Sequence, residues 1–434
     1  MLFFGYTQRM LKNLSIEKFF LLTALIFGIL YVFILPPFQS VDEGMHFYRT
    51  YQISESKFLA KNVNGITGDE LPVSLSNFYN MYTPFIKNID KKSDMEILRK
   101  TFDISIQPQN RIFTEFRNTA LYSPVCYISQ LPGVILGKLL TQKLAVTYYL
   151  GRLSNLLFYA FLVFWAIKII PFYKLPLLCL ALLPMSLSLA GAYTCDVAVL
   201  GLNFLWVAML LKTLTSDYPL KIFDKQILTL LCVALLMAFS KSYILLLPLI
   251  FLLPVCRFKT QKDYIISLFL IIFAAIAGLL YWSFCIKGLT LNMNDCFANS
   301  DLQIEFIKTH PLQYLSVLIK TFFIKTPRLY ITMVGVLGWQ DTKLDWITYI
   351  IYPFLIYSGM KAENFNFRFY KWQKAVILLT VIAAVLITYT SLYIMWSPVA
   401  NGVVLGLNGK YFIPLILPLL CLFSPPPECI FILN

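Results

Sequence analysis

Two adjacent acidic residues follow the first apolar stretch of the chain, where a membrane-spanning helix would reach water. The run from Phe19 to Val41 carries no charge, and Asp42, Glu43 and then His46 come directly after it. This run is long enough to cross a bilayer, which takes about 20 apolar residues. On a helix, Asp42 and His46 share one face. The carboxylate of Asp42 could act as a general base or bind a divalent cation together with His46. A water-exposed helix end has the same pattern and is the simpler alternative on spacing alone.

Six further polar residues beside apolar stretches are predicted to contact a substrate: Asp196, Lys241, Arg328, Gln340, Asp341 and Lys410. A charge within or next to a membrane span is costly, which makes it a functional candidate. Arg and Lys at an interface could hold a phosphate or pyrophosphate. The structural alternatives are a polar hairpin tip for Asp196, a snorkelling side chain for Lys241 and solvated surface groups for the rest.

The composition identifies an integral membrane protein. Hydrophobic residues make up 59% of the 434 residues and charged residues only 13%, whereas a soluble protein carries about 25% charged residues. The formal charge of +14 is explained by basic loops on the cytoplasmic side, so no nucleic-acid partner is expected. No small-residue cleavage site follows the first apolar run, which predicts a retained anchor. The nine cysteines show no metal-ligand spacing.

Apolar stretches separated by polar segments predict an all-α polytopic fold of about ten transmembrane helices. The predicted spans are 19–40, 147–167, 175–192, 194–211, 226–240, 243–256, 264–285, 345–360, 374–396 and 410–424. With the N-terminus inside, this threading puts fifteen Lys and Arg residues inside, against Lys241 and Lys410 in the short outer loops. Such an asymmetry is the one that fixes orientation in membranes. The uncharged segment 118–140 is predicted to be a re-entrant or surface helix, because an extra span there would reverse every later loop.

The same threading divides the chain into seven regions. We expect a cytoplasmic N-terminus (1–18), a first transmembrane helix (19–40), a large extracytoplasmic loop with juxtamembrane helices (41–146), a transmembrane bundle (147–285), a second extracytoplasmic segment (286–344), C-terminal transmembrane helices (345–424) and a tail (425–434). The closing sequence SPPPECIFILN is abrupt and is compatible with a truncated or frameshifted end.

Seven short motifs carry a resemblance to a known family. They are PPFQSVDEGMHFYRTYQI, LYSPVCYISQLPG, GRLSN, LLPMSLSLAGAYTCD, SKSY, GVLGWQD and GKYFIP, in this order between about residues 36 and 415. Together they resemble the domain-of-unknown-function family 2142 (DUF2142) of bacterial integral membrane proteins, which is similar to the GT-C superfamily of polytopic glycosyltransferases. The last motif has Lys410 where the family usually carries Arg, and Lys is a weaker bidentate partner for phosphate.

The resemblance implies a GT-C-like fold and an inverting transfer of a sugar from a polyprenyl-phosphate donor to a glycan or lipid acceptor. Asp42 would be the catalytic base with Glu43 beside it, and Asp196 would bind a metal or position the acceptor. A divalent cation, Mg or Mn, is a candidate cofactor. The expected location is the bacterial cytoplasmic membrane, with the active site extracytoplasmic and membrane lipids as further partners.

Two other functions stay open at this stage. A transporter or flippase of a lipid-linked glycan would be expected to show internal repeats, broken helices and charges near the midplane. The acids of this chain lie at the edge of the spans and no repeat is evident, which favours the enzyme. A glycan polymerase differs from a single-sugar transferase mainly in its acceptor.

Overall fold

The computed structural model describes residues 14–240, 244–289, 298–363 and 367–424. Its α-helices are α1 (Ile16–Ile34), α2 (Glu43–Ser54), α3 (Val73–Tyr82), α4 (Met95–Asp103), α5 (Arg117–Ala120), α6 (Leu131–Leu140), α7 (Leu144–Ile169), α8 (Lys174–Ala181), α9 (Pro184–Ala190), α10 (Asp196–Leu214), α11 (Lys225–Phe239), α12 (Gln261–Cys285), α13 (Ser300–Thr309), α14 (Pro311–Gly335), α15 (Trp346–Ala362), α16 (Lys371–Trp396) and α17 (Ile413–Leu420). Its strands are β1 (Lys61–Val63), β2 (Ile66–Pro72), β3 (Arg111–Glu115), β4 (Val336–Leu337) and β5 (Thr342–Lys343).

Within the described residues, five helices are long and apolar enough to cross a membrane, namely α1, α7, α10, α12 and α16. The prediction of a helical membrane protein is therefore confirmed. The other predicted spans are shorter or interrupted. Pro184 divides 175–192 into α8 and α9, and 243–256 contains two 3₁₀ turns on either side of Pro254. Proline removes a backbone donor and clashes with the preceding turn, so these segments are not single helices.

The prediction of an all-α fold is wrong in the segment 41–146, which contains a three-stranded antiparallel sheet in the order β1-β2-β3. The β1–β2 turn consists of Asn64 and Gly65, and both have positive φ (53° and 81°). An Asn-Gly pair with this backbone conformation is the preferred two-residue hairpin turn. The sequence NVNGIT (62–67) contains this turn signal, which the prediction of an all-α fold did not take into account.

The first span ends earlier than predicted. Helix α1 stops at Ile34 rather than at residue 40, because the residue before a proline avoids the helical conformation and Pro36 and Pro37 follow. The chain then turns at Phe38 (φ 63°). The ring of Phe38 is fully buried and packs edge-on against Phe78 and Tyr148.

The ends of several helices fall into two sets, one at each end of the bundle. At one end, Asp42 at the start of α2, Asp196 at the start of α10 and Trp396 at the end of α16 line a common cavity. At the other end, Leu175 N donates to Glu363 Oε1, and Tyr173 Oη donates to Leu420 O. We call these the cavity end and the opposite end.

Helix α14 runs along the cavity end instead of crossing the bundle. Near its start, Tyr314 stacks on Tyr393 of α16, with ring centroids 5.5 Å apart. Near its finish, Thr332 Oγ1 accepts a hydrogen bond from Gly409 N at 2.9 Å. Tyr393 and Gly409 both belong to the cavity end, so the 25 residues of α14 lie beside the bundle. The side chains of Leu312 and Phe323 are 80% and 71% exposed, as on a helix at the membrane interface.

A fully buried ion pair fixes the turn between α1 and α2. Arg152 of α7 donates from Nε and Nη2 to the two carboxylate oxygens of Glu43, at 2.8 Å each, and both side chains are 0% exposed. Its remaining N–H groups donate to the carbonyls of Val32, Leu35 and Pro36 at 2.7–3.1 Å. All five guanidinium donors are therefore used.

We predict that Glu43→Gln destabilises the protein strongly, because it leaves the Arg152 charge buried without its carboxylate. Breaking a buried ion pair on one side costs about 3–5 kcal/mol of unfolding free energy. Thermal unfolding of the detergent-solubilised protein measures the loss as a lower midpoint. Glu96→Gln is the matched control, because Glu96 pairs with Lys100 at an exposed position, and it leaves the midpoint unchanged. An unchanged midpoint for Glu43→Gln would contradict the assignment.

Candidate functional site

A cavity of about 590 Å³ lies at the cavity end of the bundle. Five of the residues predicted from sequence line it: Asp42, His46, Asp196, Gln340 and Lys410. Apolar side chains of α16, including Leu392, Met395 and Trp396, form another part of its wall. The structure thus collects polar groups from positions 42 to 410 of the chain in one partly apolar chamber.

Asp42 occupies a left-handed backbone position at the start of α2. Its φ is 60° and its ψ is 11°, and its side chain does not cap the helix. Among non-glycine residues, Asp and Asn adopt this conformation most readily. The side chain is half-buried. Burial, and then the Asp42 carboxylate, raise the pKa of the nearby Tyr79 hydroxyl.

Glu43 points away from the cavity and does not line it. Its carboxylate is held by Arg152 and also accepts a hydrogen bond from Tyr193 N at 3.0 Å. Successive residues on a helix point about 100° apart, so two adjacent acids cannot face the same chamber in the same way. We therefore assign Glu43 a structural role in place of the catalytic one expected from sequence.

His46 lines the cavity one turn after Asp42 and is 6% exposed. Its Nδ1 lies 3.1 Å from Tyr127 Oη, and its ring stacks on Tyr122 with centroids 6.2 Å apart. Complete burial raises the pKa of Tyr127 well above its ordinary value. The tyrosine therefore stays protonated and fixes the imidazole ring.

The donors expected for a cation do not form a complete set. In the part of the chain that the structure describes, no group of three or more His, Cys, Asp and Glu side chains could hold a metal ion. Asp42 and His46 would supply two donors at most, and the carboxylate of Asp196 contacts Lys410.

Asp196 and Lys410 form an ion pair on the cavity wall. The Nζ of Lys410 lies 2.6 Å from Asp196 Oδ2, and the two side chains are only 13% and 9% exposed. Asp196 is the first residue of α10, where the helix dipole favours a negative charge. Water screens a mostly buried pair of this kind less than it screens a pair on the surface, so the attraction between the two charges is stronger.

The motif around Lys410 explains how the ammonium group reaches the cavity. Asn408 Oδ1 accepts a hydrogen bond from Lys410 N at 3.0 Å and starts the 3₁₀ turn Gly409–Phe412. Gly409 packs directly on α14, where a Cβ would lie 2.0 Å from Leu329 O. Only glycine permits this approach, so α14 sets the position of the turn.

Gln340 reaches the cavity from the β4–β5 hairpin. Its φ is 67°, and its neighbour Trp339 donates from Nε1 to Phe38 O at 3.0 Å. This bond ties the hairpin to the turn that precedes Asp42. Asp341 lies outside the cavity lining, and its Oδ1 accepts from Thr342 Oγ1 at 3.1 Å.

The remaining two predicted residues do not add to the described site. Arg328 is exposed on α14 and does not line the cavity. Lys241 lies outside the described residues, although Phe239, two positions before it, lines the cavity. Apart from Glu43, eight polar residues were predicted to belong to the site. Five of them line the same cavity.

Several cavity residues were missed by sequence reasoning: Asn118, Tyr122, Ser123, Trp282, Asn408 and Tyr411. Tyr122 and Ser123 belong to the motif LYSPVCYISQLPG, which carried part of the family resemblance and in that way offered a signal. Trp282 Nε1 donates to Leu121 O at 2.7 Å. In sequence, a tryptophan near the end of a span is indistinguishable from an interface anchor.

Buried amides hold the loop that precedes Asp196. Gln130 Nε2 donates to Thr194 O at 2.6 Å, and Gln130 Oε1 accepts from Thr50 Oγ1 of α2 at 2.7 Å. Asn155 of α7 donates to Ala192 O at 2.7 Å. Because each side chain satisfies backbone groups of another element, α2 and the start of α10 are fixed relative to each other.

The fold and the cavity define a mostly helical membrane protein, with a chamber of polar groups and apolar walls at one end of its bundle. The model of the family described as "Predicted membrane protein (DUF2142)" matches residues 25–419. The chain therefore belongs to the DUF2142 family, as its motifs suggested. No curated protein and no solved structure matches it.

We predict that Gly409→Ala lowers the thermal unfolding midpoint, because its Cβ would overlap the α14 backbone. Overpacking of this kind costs about 1–3 kcal/mol. Gly402→Ala is the matched control in the same connection, since a Cβ at Gly402 meets nothing within 4 Å. Equal midpoints for the two variants would show that the contact between the turn and α14 does not hold Lys410 in place.

Proposed function

We propose that the protein is a membrane glycosyltransferase that takes a sugar from a polyprenyl-phosphate donor and modifies a cell-surface glycan or lipid. The observation that carries the proposal is the convergence of Asp42 and the Asp196–Lys410 pair in a chamber with apolar walls. A lipid-linked sugar needs a base, a cation for its phosphate and apolar surroundings for the start of its tail. The resemblance to GT-C glycosyltransferases that the sequence motifs imply is compatible with this chemistry.

In the proposed reaction, the hydroxyl oxygen of the acceptor attacks the anomeric carbon of the donor sugar. The bond between that carbon and the phosphate oxygen breaks, and the electron pair leaves with the polyprenyl phosphate. The carboxylate of Asp42 accepts the hydroxyl proton as general base, a contribution of about 10²–10⁴-fold. Attack on the face opposite the leaving phosphate inverts the anomeric configuration.

Lys410 is the proposed partner of the donor phosphate. Its ammonium lies on the cavity wall at 2.6 Å from Asp196, so the carboxylate orients it before the donor arrives. Lysine presents a point charge rather than the planar fork of arginine. The proposed contact with phosphate is therefore electrostatic and does not require bidentate geometry.

The proposed orientation places the cavity end on the extracytoplasmic side of the bacterial cytoplasmic membrane. Basic residues at the opposite end, such as Lys174 at the start of α8 and Lys361 in the last turn of α15, support this orientation, because basic residues are retained inside. The topology behind it is the proposed ten-crossing, GT-C-like path. Glycan or lipid acceptors outside the cell would then reach the chamber directly.

A transporter of a lipid-linked glycan is the second candidate. Two observations favour it: the span broken between α8 and α9, and the buried Glu43–Arg152 charges inside the bundle. Transporters often have interrupted helices and buried charges. Here, however, all the guanidinium donors of Arg152 are used in holding the fold, which favours the enzyme.

Formation of a product ladder by purified protein would indicate a polymerase instead.

We predict that Asp42→Asn abolishes sugar transfer while the protein remains folded. Asparagine tolerates the left-handed backbone of residue 42 and has the same shape, so only the proton-accepting charge is lost. The measurement is the surface-glycan profile of the source bacterium in wild type, a deletion strain, and the deletion complemented with Asp42→Asn at equal membrane level. Full complementation by the variant would refute the role of Asp42.

We predict that Lys410→Met reduces transfer and that Lys410→Arg retains most of it, because arginine preserves the charge. Loss of a charged hydrogen bond of about 1.5–3 kcal/mol corresponds to a decrease of about 10- to 140-fold in rate. Initial rates with purified protein and a polyprenyl-phosphate sugar measure the effect. Equal rates for the Met and Arg variants would show that the charge of Lys410 does not bind the donor phosphate.

A further inference from the structure

A second cavity, of about 700 Å³, forms a groove along the side of the bundle. Its wall comes from α8, α14, α15 and the segment 420–424. Most of the lining is apolar: Leu180, Leu183, Met333, Val334, Ile356 and Met360. Helix α15 exposes Ile350 and Phe354 at 60% and 68%, so the groove opens on a surface suited to the hydrocarbon of a bilayer.

Three of the four tyrosines that line the groove contribute apolar surface rather than polar contacts. Tyr173 Oη donates to Leu420 O at 3.0 Å, Tyr352 Oη donates to Leu182 O at 2.8 Å, and Tyr330 Oη donates to a backbone carbonyl of α15. A hydroxyl that already has its partner presents only its ring to a ligand. The walls therefore suit a hydrocarbon chain better than a sugar or a nucleotide.

The groove has a direction. One limit is Met333 of α14, which contacts the Gly409 turn behind the first cavity. The other limit consists of Lys361, Glu363 and Ser424 at the opposite end of the bundle. From Tyr352 to Lys361 alone, α15 rises about 14 Å at 1.5 Å per residue. This length accommodates a substantial part of an acyl chain.

Positive charge is available at the opposite end of the groove. The ammonium of Lys361 lies 5.7 Å from the ring centroid of Tyr357, and Lys374 Nζ donates to Ser424 O at 2.5 Å. The neighbouring acid, Glu363, accepts a hydrogen bond from Leu175 N in the first turn of α8. The dipole at this end of the helix stabilises the negative charge of Glu363. Across the described residues, Lys361 forms no ion pair with a carboxylate.

We propose that the groove binds an anionic phospholipid, with one acyl chain along α15 and the phosphate at Lys361. Basic pockets between membrane helices on the cytoplasmic side are suited to anionic head groups. A sugar donor is a poor match for this site, because the cation lies at the end opposite Asp42 and the donor phosphate must reach the first cavity. The packing of Gly409 on α14 separates the two cavities.

The proposal is tested by native mass spectrometry and thermal unfolding of the purified full chain with dioleoyl phosphatidylglycerol or dioleoyl phosphatidylcholine. Phosphatidylglycerol is expected to bind more tightly and to raise the unfolding midpoint more. Lys361→Ala is expected to weaken phosphatidylglycerol binding about fivefold, the equivalent of about 1 kcal/mol for one Lys near a phosphate. Lys225→Ala, an exposed lysine of the same end away from the groove, leaves binding unchanged. Equal affinity for the two lipids, or equal loss in both variants, overturns the proposal.

A second variant tests the chain-binding part without changing charge. Ile356→Trp fills the groove from a half-buried position and is expected to remove the bound lipid from the native mass spectrum. Its unfolding midpoint without added lipid serves as the folding control. Retention of the same bound lipid by a folded Ile356→Trp protein would contradict the groove as the site. Both measurements detect lipid binding without sugar transfer. A failure to bind lipid would therefore contradict the lipid site and leave the proposed reaction unaffected.

Discussion

The buried pair of Glu43 and Arg152 is the interaction on which the cavity end depends. Two charges inside a membrane bundle are tolerable only when each is paired and fully hydrogen-bonded. Arg152 meets this requirement by binding both oxygens of Glu43 and three carbonyls at the end of α1. The same network accepts Tyr193 N just before α10. The exit of the first helix and the start of α10 are therefore set by one guanidinium group.

This clamp also separates the roles of two adjacent acids. Glu43 is drawn inward to Arg152, and the rotation of the helix leaves Asp42 facing the chamber in a left-handed backbone conformation. An acid that holds the fold thus positions the acid proposed to accept a proton. Mutational loss of activity at Glu43 would consequently report on structure, whereas loss at Asp42 with a normal unfolding midpoint would report on chemistry.

Helix α14 has a comparable organising role on the other side of the chamber. Its contact with Gly409 places Lys410 against Asp196, and its residues Tyr330 and Val334 line the groove. One interfacial helix therefore borders both cavities without joining them. In this arrangement, the proposed lipid would stabilise the protein independently of the proposed substrate in the chamber.

Sequence by itself determined the membrane class, the family and five residues of the chamber. Apolar composition, motif order and acids beside apolar runs depend on local spacing, which a linear reading detects. The sequence analysis predicted a first helix that extends to residue 40, because it gave the apolar residues more weight than Pro36 and Pro37. It also missed the two strands on either side of Asn64 and Gly65. Only the tertiary structure decided between Asp42 and Glu43, because the deciding partner, Arg152, lies 109 positions further along the chain. It likewise brought Lys410 to Asp196, since a long-range ion pair depends on packing that no local pattern encodes.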